Sequence, residues 1–425
     1  MAADPGSDIP LPEKVAFAAG DTGFNFVWQT IELYLLFYYI NVLGIAPGQA
    51  AAIFLVGGAI DLAGDPLIGA LVDRTRDRIS ARGWMVVAGP PLGLALAGTF
   101  LPPPVPGAWG IAFLAAMHVL LRVTYSLGNI PYAALTARIT GDPAGQVRLT
   151  GVRMQGAAVG GLIAALVYFA FPLRDQVGGV PLGAIALGFG AQPLFLLTWR
   201  GVRERAEPAA QPVHSLAAQL GGVAVLLRRS PPLRRLLVLI FVSGTSCTIL
   251  YKGLLFVFAG LDAVGWGYAA AVFPSIVLFC GAPAWAALAT RIGRVTTLRL
   301  ASLIYVLAVS SAWLFGSILA VATPLMALAA LASVGISVMF FALVPGVIDA
   351  CERELAAEGC AARVFGLANL ARKLAQACAP QVIALALVLP GAGVLGAMVL
   401  TAFAALAASL WSVPRSGELR RLRMA

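Results

Sequence analysis

Charge is what this sequence has least of. Asp, Glu, Lys and Arg make up 11% of its 425 residues, against about a quarter in an ordinary soluble domain, and that scarcity excludes a water-soluble fold. Lysine is rarer still, with three residues beside 26 arginines, and histidine occurs twice. The five cysteines, Cys247, Cys280, Cys351, Cys360 and Cys378, include no C-x-x-C pair and have no histidine at zinc-ligand spacing, so neither a metal site nor a disulfide framework is indicated and the thiols read as packing residues. No H-E-x-x-H, G-x-S-x-G or di-acidic loop occurs, and the chain is therefore read as a non-enzyme with no cofactor. The first 13 residues, MAADPGSDIPLPE, lack a cationic stretch before an apolar core. They do not form a cleavable secretory signal, and the N-terminus is expected in the cytosol.

What is abundant is apolar: 60% of the residues are hydrophobic. Segments separated by Pro, Gly or Arg clusters fall at 14–40, 48–72, 84–101, 108–137, 150–171, 178–199, 234–260, 266–289, 296–317, 321–349, 362–388 and 392–412, each near the ~20 residues that span a bilayer. The expected fold is thus an all-α membrane protein of twelve transmembrane helices. A net charge of +10 does not point to nucleic acid, because the basic residues are spread between the apolar runs. With the N-terminus inside, the outer connections hold one basic residue, Arg174, whereas Arg82, Arg138, Arg200, Arg203, Arg205, Arg228, Arg229, Arg291, Arg294, Arg420 and Arg421 lie in or beside the inner ones. The positive-inside rule then places both termini in the cytoplasm of a cytoplasmic (inner) membrane. The longest polar interval, 200–232, carries Glu204, Glu207, Pro208, Pro212 and His214 and reads as a cytoplasmic linker between two six-helix halves, 1–199 and 233–425.

Internal repetition points the same way. GALVDRTRDR (Gly69 to Arg78) follows the second segment and AALATRIGR (Ala286 to Arg294) follows the eighth. Parallel repeats of this kind mark secondary transporters that carry solute between their halves. The first loop resembles the signature of the major facilitator superfamily, and that resemblance implies a cytoplasmic gate at Asp73, Arg74 and Arg78. Four further stretches, GDTGFNFVWQ (Gly20 to Gln29), IDLAGDPLIGALVDRTRDR (Ile60 to Arg78), GNIPYAAL (Gly128 to Leu135) and FGLANLARKLAQA (Phe365 to Ala377), resemble the motifs of the glycoside-pentoside-hexuronide cation symporters. The likeness extends over essentially the whole chain. It implies cation-coupled uptake of a sugar or glycoside, with a proton or sodium as coupling ion and a monomer as the expected state.

Polar groups inside the spans carry the chemistry, since a charge at mid-membrane is expensive and is retained for a pathway or a partner. Asp21, Asn25, Trp28, Gln29 and Glu32 recur at helical spacing and share one stripe. Asn25, Trp28 and Gln29 supply the amides and aromatic ring that suit a sugar, although Asn25 stands where the family's best-known sugar carrier has an acid. Asp61 and Asp65, spaced i, i+4, share a face of the second helix. By resemblance they are the family's cation-site aspartates, joined by the hydroxyl of Ser126, while Gly64 stands where relatives usually offer a side-chain oxygen. That departure tilts the ion toward a proton without excluding sodium.

The fourth helix adds His118, Arg122, Tyr125 and Asn129. Counting about 1.5 Å per residue, Asp61, Arg122 and Asn25 lie at similar depth and can meet, so Arg122 is either a coupling device or a static partner of Asp61 or Glu32. His118 is either a proton shuttle or a packing residue. In the stretch from Asn129 to Tyr132, the resemblance turns Asn129 toward substrate, and Pro131 is expected to break the helix. Arg153, by resemblance, lies near the sugar path. Lys373 on the eleventh helix sits too deep to reach the inner surface and needs an acidic partner, for which Asp61 or Asp65 would serve. Tyr125, Arg153 and Lys373 complete the substrate-binding set, and Asp21, Glu32, Arg122 and Lys373 the charge-pairing set. A carrier of lysophospholipid or another amphiphile on the same fold is the second reading.

Overall fold

The structure is a computed structural model and describes residues 9–75, 77–170, 176–205, 216–355, 360–391 and 393–412. Arg174, Glu207 to His214, Arg420 and Arg421 fall outside those residues. Every regular element among the described residues is a helix. In chain order these are α1 (Leu11–Thr30), α2 (Pro47–Arg74), α3 (Gly83–Phe100), α4 (Ala108–Ile139), α5 (Pro143–Ala170), α6 (Gln176–Gly201), α7 (Leu216–Arg229) and α8 (Pro231–Ala259). There follow α9 (Val264–Ala270), α10 (Phe273–Ile292), α11 (Arg294–Phe315), α12 (Leu319–Leu355), α13 (Ala361–Val388) and α14 (Gly393–Trp411).

Ten helical stretches among the described residues are long and apolar enough to cross a membrane by length and composition, α9 and α10 counting as one. The other two expected segments are helical as well but more polar: α1 carries Glu13, Lys14 and Asp21, and α13 carries Arg363, Arg372 and Lys373. Charged groups kept within such segments mark a pathway or a paired partner. Outward faces are conversely apolar, with Leu67 71% and Leu400 73% exposed, an arrangement suited to lipid and unsuited to water.

Three local details depart from the sequence reading. Pro131 does not break α4, which runs unbroken from Ala108 to Ile139; proline is tolerated in membrane helices because neighbouring helices re-satisfy the freed backbone groups. The eighth expected span is interrupted at Ala271 and Val272, just before Pro274. Beyond α1 the chain continues as π-helix at Ile31–Leu35 and Tyr38–Val42, where wider turns displace later side chains from their α-helical positions.

The chain separates into two compact units, residues 1–210 with 264–276 and residues 211–263 with 277–425. In the first, α1 packs on α5 and α6, α3 on α4 and α6, and α2 on α4. In the second, α8 packs on α12, α13 and α14, and α11 on α12 and α14. The start of α8 follows from its sequence: the Ser230 hydroxyl accepts from the Leu233 N–H at 3.4 Å, and prolines at the next positions have no N–H to leave unpaired.

In the first unit the close approach of α1 and α5 rests on a G-x-x-x-G, Gly156 and Gly160. A Cβ at either glycine would collide with the backbone carbonyl of Ala18 or of Thr22, respectively. Such small-residue faces let membrane helices reach van der Waals contact, which replaces the hydrophobic driving force that lipid does not supply. A hydrogen bond from the Thr22 hydroxyl to the Gly156 carbonyl, 2.9 Å, crosses the same seam.

Basic residues that read as topology signals also hold helix ends together. The buried Glu13 accepts from the Arg203 backbone N–H (2.9 Å) and from both terminal nitrogens of Arg205 (2.8 and 2.6 Å). Glu204 in turn receives Arg138 at 3.3 Å and the Arg82 backbone N–H at 3.3 Å. Glu13→Gln breaks the bidentate contact and is expected to cost about 1.5–3 kcal/mol, the range for hydrogen bonds to charged groups. Because Arg205 is 39% exposed and regains water, the lower end applies, and a thermal-shift assay in detergent should record a fall of several degrees (about 2–4 °C per kcal/mol for a unit of this size).

Candidate functional site

In the first unit a ladder of side chains links α2 and α4. Asp61 and Asp65 lie one helical turn apart on α2, and Arg122 and Ser126 one turn apart on α4. The Arg122 guanidinium pairs with the Asp61 carboxylate at 3.3 Å, and the Ser126 hydroxyl donates to Asp65 at 2.8 Å. The order of these rungs, 61 with 122 and 65 with 126, requires the two helices to run parallel. One turn earlier a third rung joins Gly57 to His118: a Cβ on Gly57 would stand 2.6 Å from the imidazole. His118 therefore fills the notch left by the missing side chain, fully buried and against the Phe54 ring at 4.9 Å. One turn past Asp65, polarity ends in an apolar cluster of Ile68, Val72 and Trp84, backed by Leu127 and Ile130.

Asp61 and Arg122 are 8% and 5% exposed. Burying two charges is costly, and their attraction offsets the cost only at good geometry. A second contact helps, since the guanidinium also lies 5.3 Å from the centre of the Trp28 ring on α1, where the ring's negative face attracts a cation by about 0.5–2 kcal/mol.

Trp28 opens an aromatic wall. Its ring meets Tyr125 at 5.4 Å, and Tyr125 meets Phe24 edge-on at 5.5 Å. Toward the other end of α1, Asp21 is buried and pairs with Arg153 of α5 at 3.5 Å. Arg153 stands over the Tyr132 ring at 5.6 Å, and the Tyr132 hydroxyl donates to the Phe17 carbonyl at 2.7 Å. Asn25, half-buried between the two charged pairs, donates its side-chain N–H to the Asp21 carbonyl at 2.9 Å. Gln29, also half-buried, flanks Gly161 together with Ser275.

The first unit thus gathers Asp21, Asn25, Trp28, Gln29, Asp61, Asp65, Arg122, Tyr125, Ser126 and Arg153, with Asn129 half-buried on α4 and Glu32 buried in the first π-helical turn. Lys373 belongs to the second unit, half-buried on α13 beside Arg372, whose guanidinium donates to Gln376 at 3.2 Å. Asp73, Arg74 and Arg78 are exposed at the end of α2 and in the turn after it. Sequence reasoning missed Gly57 as a partner of His118, although the shared four-residue spacing of 57, 61, 65 and 118, 122, 126 was there to be found. It also passed over the G-x-x-x-G of α5.

Long apolar helices, with charge pairs and an aromatic wall buried among those of the first unit, define a multi-pass membrane protein. Solved structures agree on the fold: the nucleoside transporter NupG superposes with a TM-score of 0.69 at 13% identity, over 94% of this chain and 98% of that one. The chain belongs to the family described as MFS/sugar transport protein, which matches residues 16–413. Among relatives, the inner membrane symporter YicJ of Escherichia coli (strain K12) is 32% identical over 178 residues, 41% of this chain and 38% of YicJ. YagG of the same organism, provisionally named a glycoside/cation symporter, is 31% identical over 221 residues, 50% of this chain and 48% of YagG. The matched region is about two fifths to half the length of these relatives.

Proposed function

We propose that this protein is a cation-coupled symporter of a sugar or glycoside, working by alternating access between two six-helix halves, 1–199 and 233–425, joined by a cytoplasmic linker at 200–232. The observation that carries the reading is the α2–α4 ladder, where Asp61 and Asp65 face Arg122 and Ser126 within reach of Trp28. Two carboxylates on one face respond to the arrival of a cation, and the aromatic wall of Trp28 and Tyr125 offers a flat apolar surface to a pyranose ring, with Asn25, Gln29, Asn129 and Arg153 as hydrogen-bonding groups. The symporter names of the relatives and the sugar-transport description of the family support the same chemistry. Lys373, on α13 of the second half, completes the charge-pairing set. Asp73, Arg74 and Arg78 form the cytoplasmic gate, Asp21 and Glu32 hold the charge balance of the first helix, and the coupling ion is a proton or sodium. The protein acts as a monomer in the inner membrane with both termini cytoplasmic.

Coupling follows from differential stability. A site that keeps net negative charge resists closing in the membrane interior, whereas cation and solute together neutralise and fill it, so each raises the affinity for the other. Charge movement in proteoliposomes challenged with glycosides, hexuronides and a lysolipid tests this. A transient current or acidification triggered by a glycoside or hexuronide is expected, and a response confined to the lysolipid would overturn the sugar reading.

A further inference from the structure

We infer that Arg122 is a tethered cation: its guanidinium stands where a metal ion would sit at Asp61 and makes transport through this chain independent of sodium. The inference rests on the symport reading above and narrows its ion.

A guanidinium does not lose its proton in proteins, so the positive charge 3.3 Å from Asp61 is permanent. It is also fixed in place. Arg122 is 5% exposed, grows from a helix that lies against α2, and is covered on another side by the Trp28 ring at 5.3 Å. A sodium ion on the same carboxylate would stand about 4 Å from that guanidinium, a repulsion that weakens binding on the order of a thousandfold at the effective dielectric of a protein interior.

The neighbouring rungs do not make good the loss. A hard cation needs several oxygen ligands. Beside Asp65 the ladder offers one further side-chain oxygen, that of the Ser126 hydroxyl, which donates to the Asp65 carboxylate at 2.8 Å. Gly64 contributes no side-chain oxygen, and on the other flank His118 is wedged over Gly57 against Phe54. Arg122 thus acts as a specificity-determining residue: it meets the charge requirement of Asp61 from within the chain and denies the place to an alkali metal. If it were a static partner without that effect, its removal would leave sodium affinity unchanged.

The test is equilibrium binding of ²²Na⁺ to the purified full chain, without sugar. The wild type is expected to show no saturable binding at millimolar sodium, and Arg122→Lys, which keeps the charge, should behave alike. Arg122→Gln is expected to gain saturable binding at millimolar sodium, and Arg122→Gln with Asp61→Asn should lose it again. Saturable millimolar binding by the wild type overturns the inference even if Arg122→Gln fails to fold. So does a monodisperse Arg122→Gln that binds no more sodium than the wild type. Because no solute is present in this assay, failure of the symport reading shows separately, as absence of any sugar-triggered current.

Discussion

Asp61→Asn is expected to reduce gradient-driven accumulation to the passive level while the protein still reaches the membrane. If Asp61 is where ion and solute binding are linked, its loss removes a coupling free energy typically worth about 1–3 kcal/mol, and the rise in solute affinity that the ion brings, about 5- to 150-fold, should disappear. Downhill exchange of the same solute should persist, since the aromatic and amide groups of Trp28, Tyr125 and Asn25 are untouched. A complication is built into the ladder: Arg122 pairs with Asp61 at 3.3 Å, and removing one partner of a buried pair costs about 3–5 kcal/mol because the other charge is left uncompensated. Adding Arg122→Gln removes both charges together. That double variant should regain the thermal stability lost in Asp61→Asn and still fail to accumulate. Concentrative uptake by either variant at the wild-type level would eliminate Asp61 as the coupling residue.

The second large effect is structural. Gly160→Leu should give little folded protein, because its first side-chain carbon alone would meet the Thr22 backbone carbonyl and stand 2.9 Å from the Asn25 Cβ. Neither obstacle is the flexible end of a side chain, so no rotamer change relieves the clash, and α1 must move away from α5. Overpacking costs about 1–3 kcal/mol, occasionally more, and even Gly160→Ala belongs in that range here. With about 2–4 °C per kcal/mol for a unit of this size, the melting temperature in detergent should fall by about 2–12 °C for alanine and further for leucine. Gly151→Ala on the same helix has open space around it and serves as the control, with a shift near zero. Displacing α1 also moves Asn25 and the Asp21–Arg153 pair, so any surviving Gly160→Ala protein should lose solute affinity before it loses its fold. A Gly160→Ala variant as stable as the control would exclude the tight seam between α1 and α5.

Periodicity and composition alone determined that this chain is a helical membrane protein, because a 20-residue run that must shed its polar backbone into lipid announces itself by the charge it lacks. They also singled out Asp21, Asp61, Asp65 and Arg122, since a charge in such a run is too costly to be incidental. Which charge meets which was not legible. Arg122 had Asp61 and Glu32 as candidate partners, and only the parallel packing of α2 on α4 decided for Asp61, one rung from Ser126 and Asp65. The place of His118 was not legible for the same reason, and the missing side chain of Gly57 supplies the space that it occupies. The π-helical turns after Thr30 and the unbroken course of α4 through Pro131 belong to this second class as well, because backbone hydrogen bonds that one helix cannot make by itself depend on its neighbours. Local sequence fixes where the chain must be apolar and where it keeps a charge. The pairing of those charges across helices depends on contacts far apart in sequence, and the fold alone supplies them.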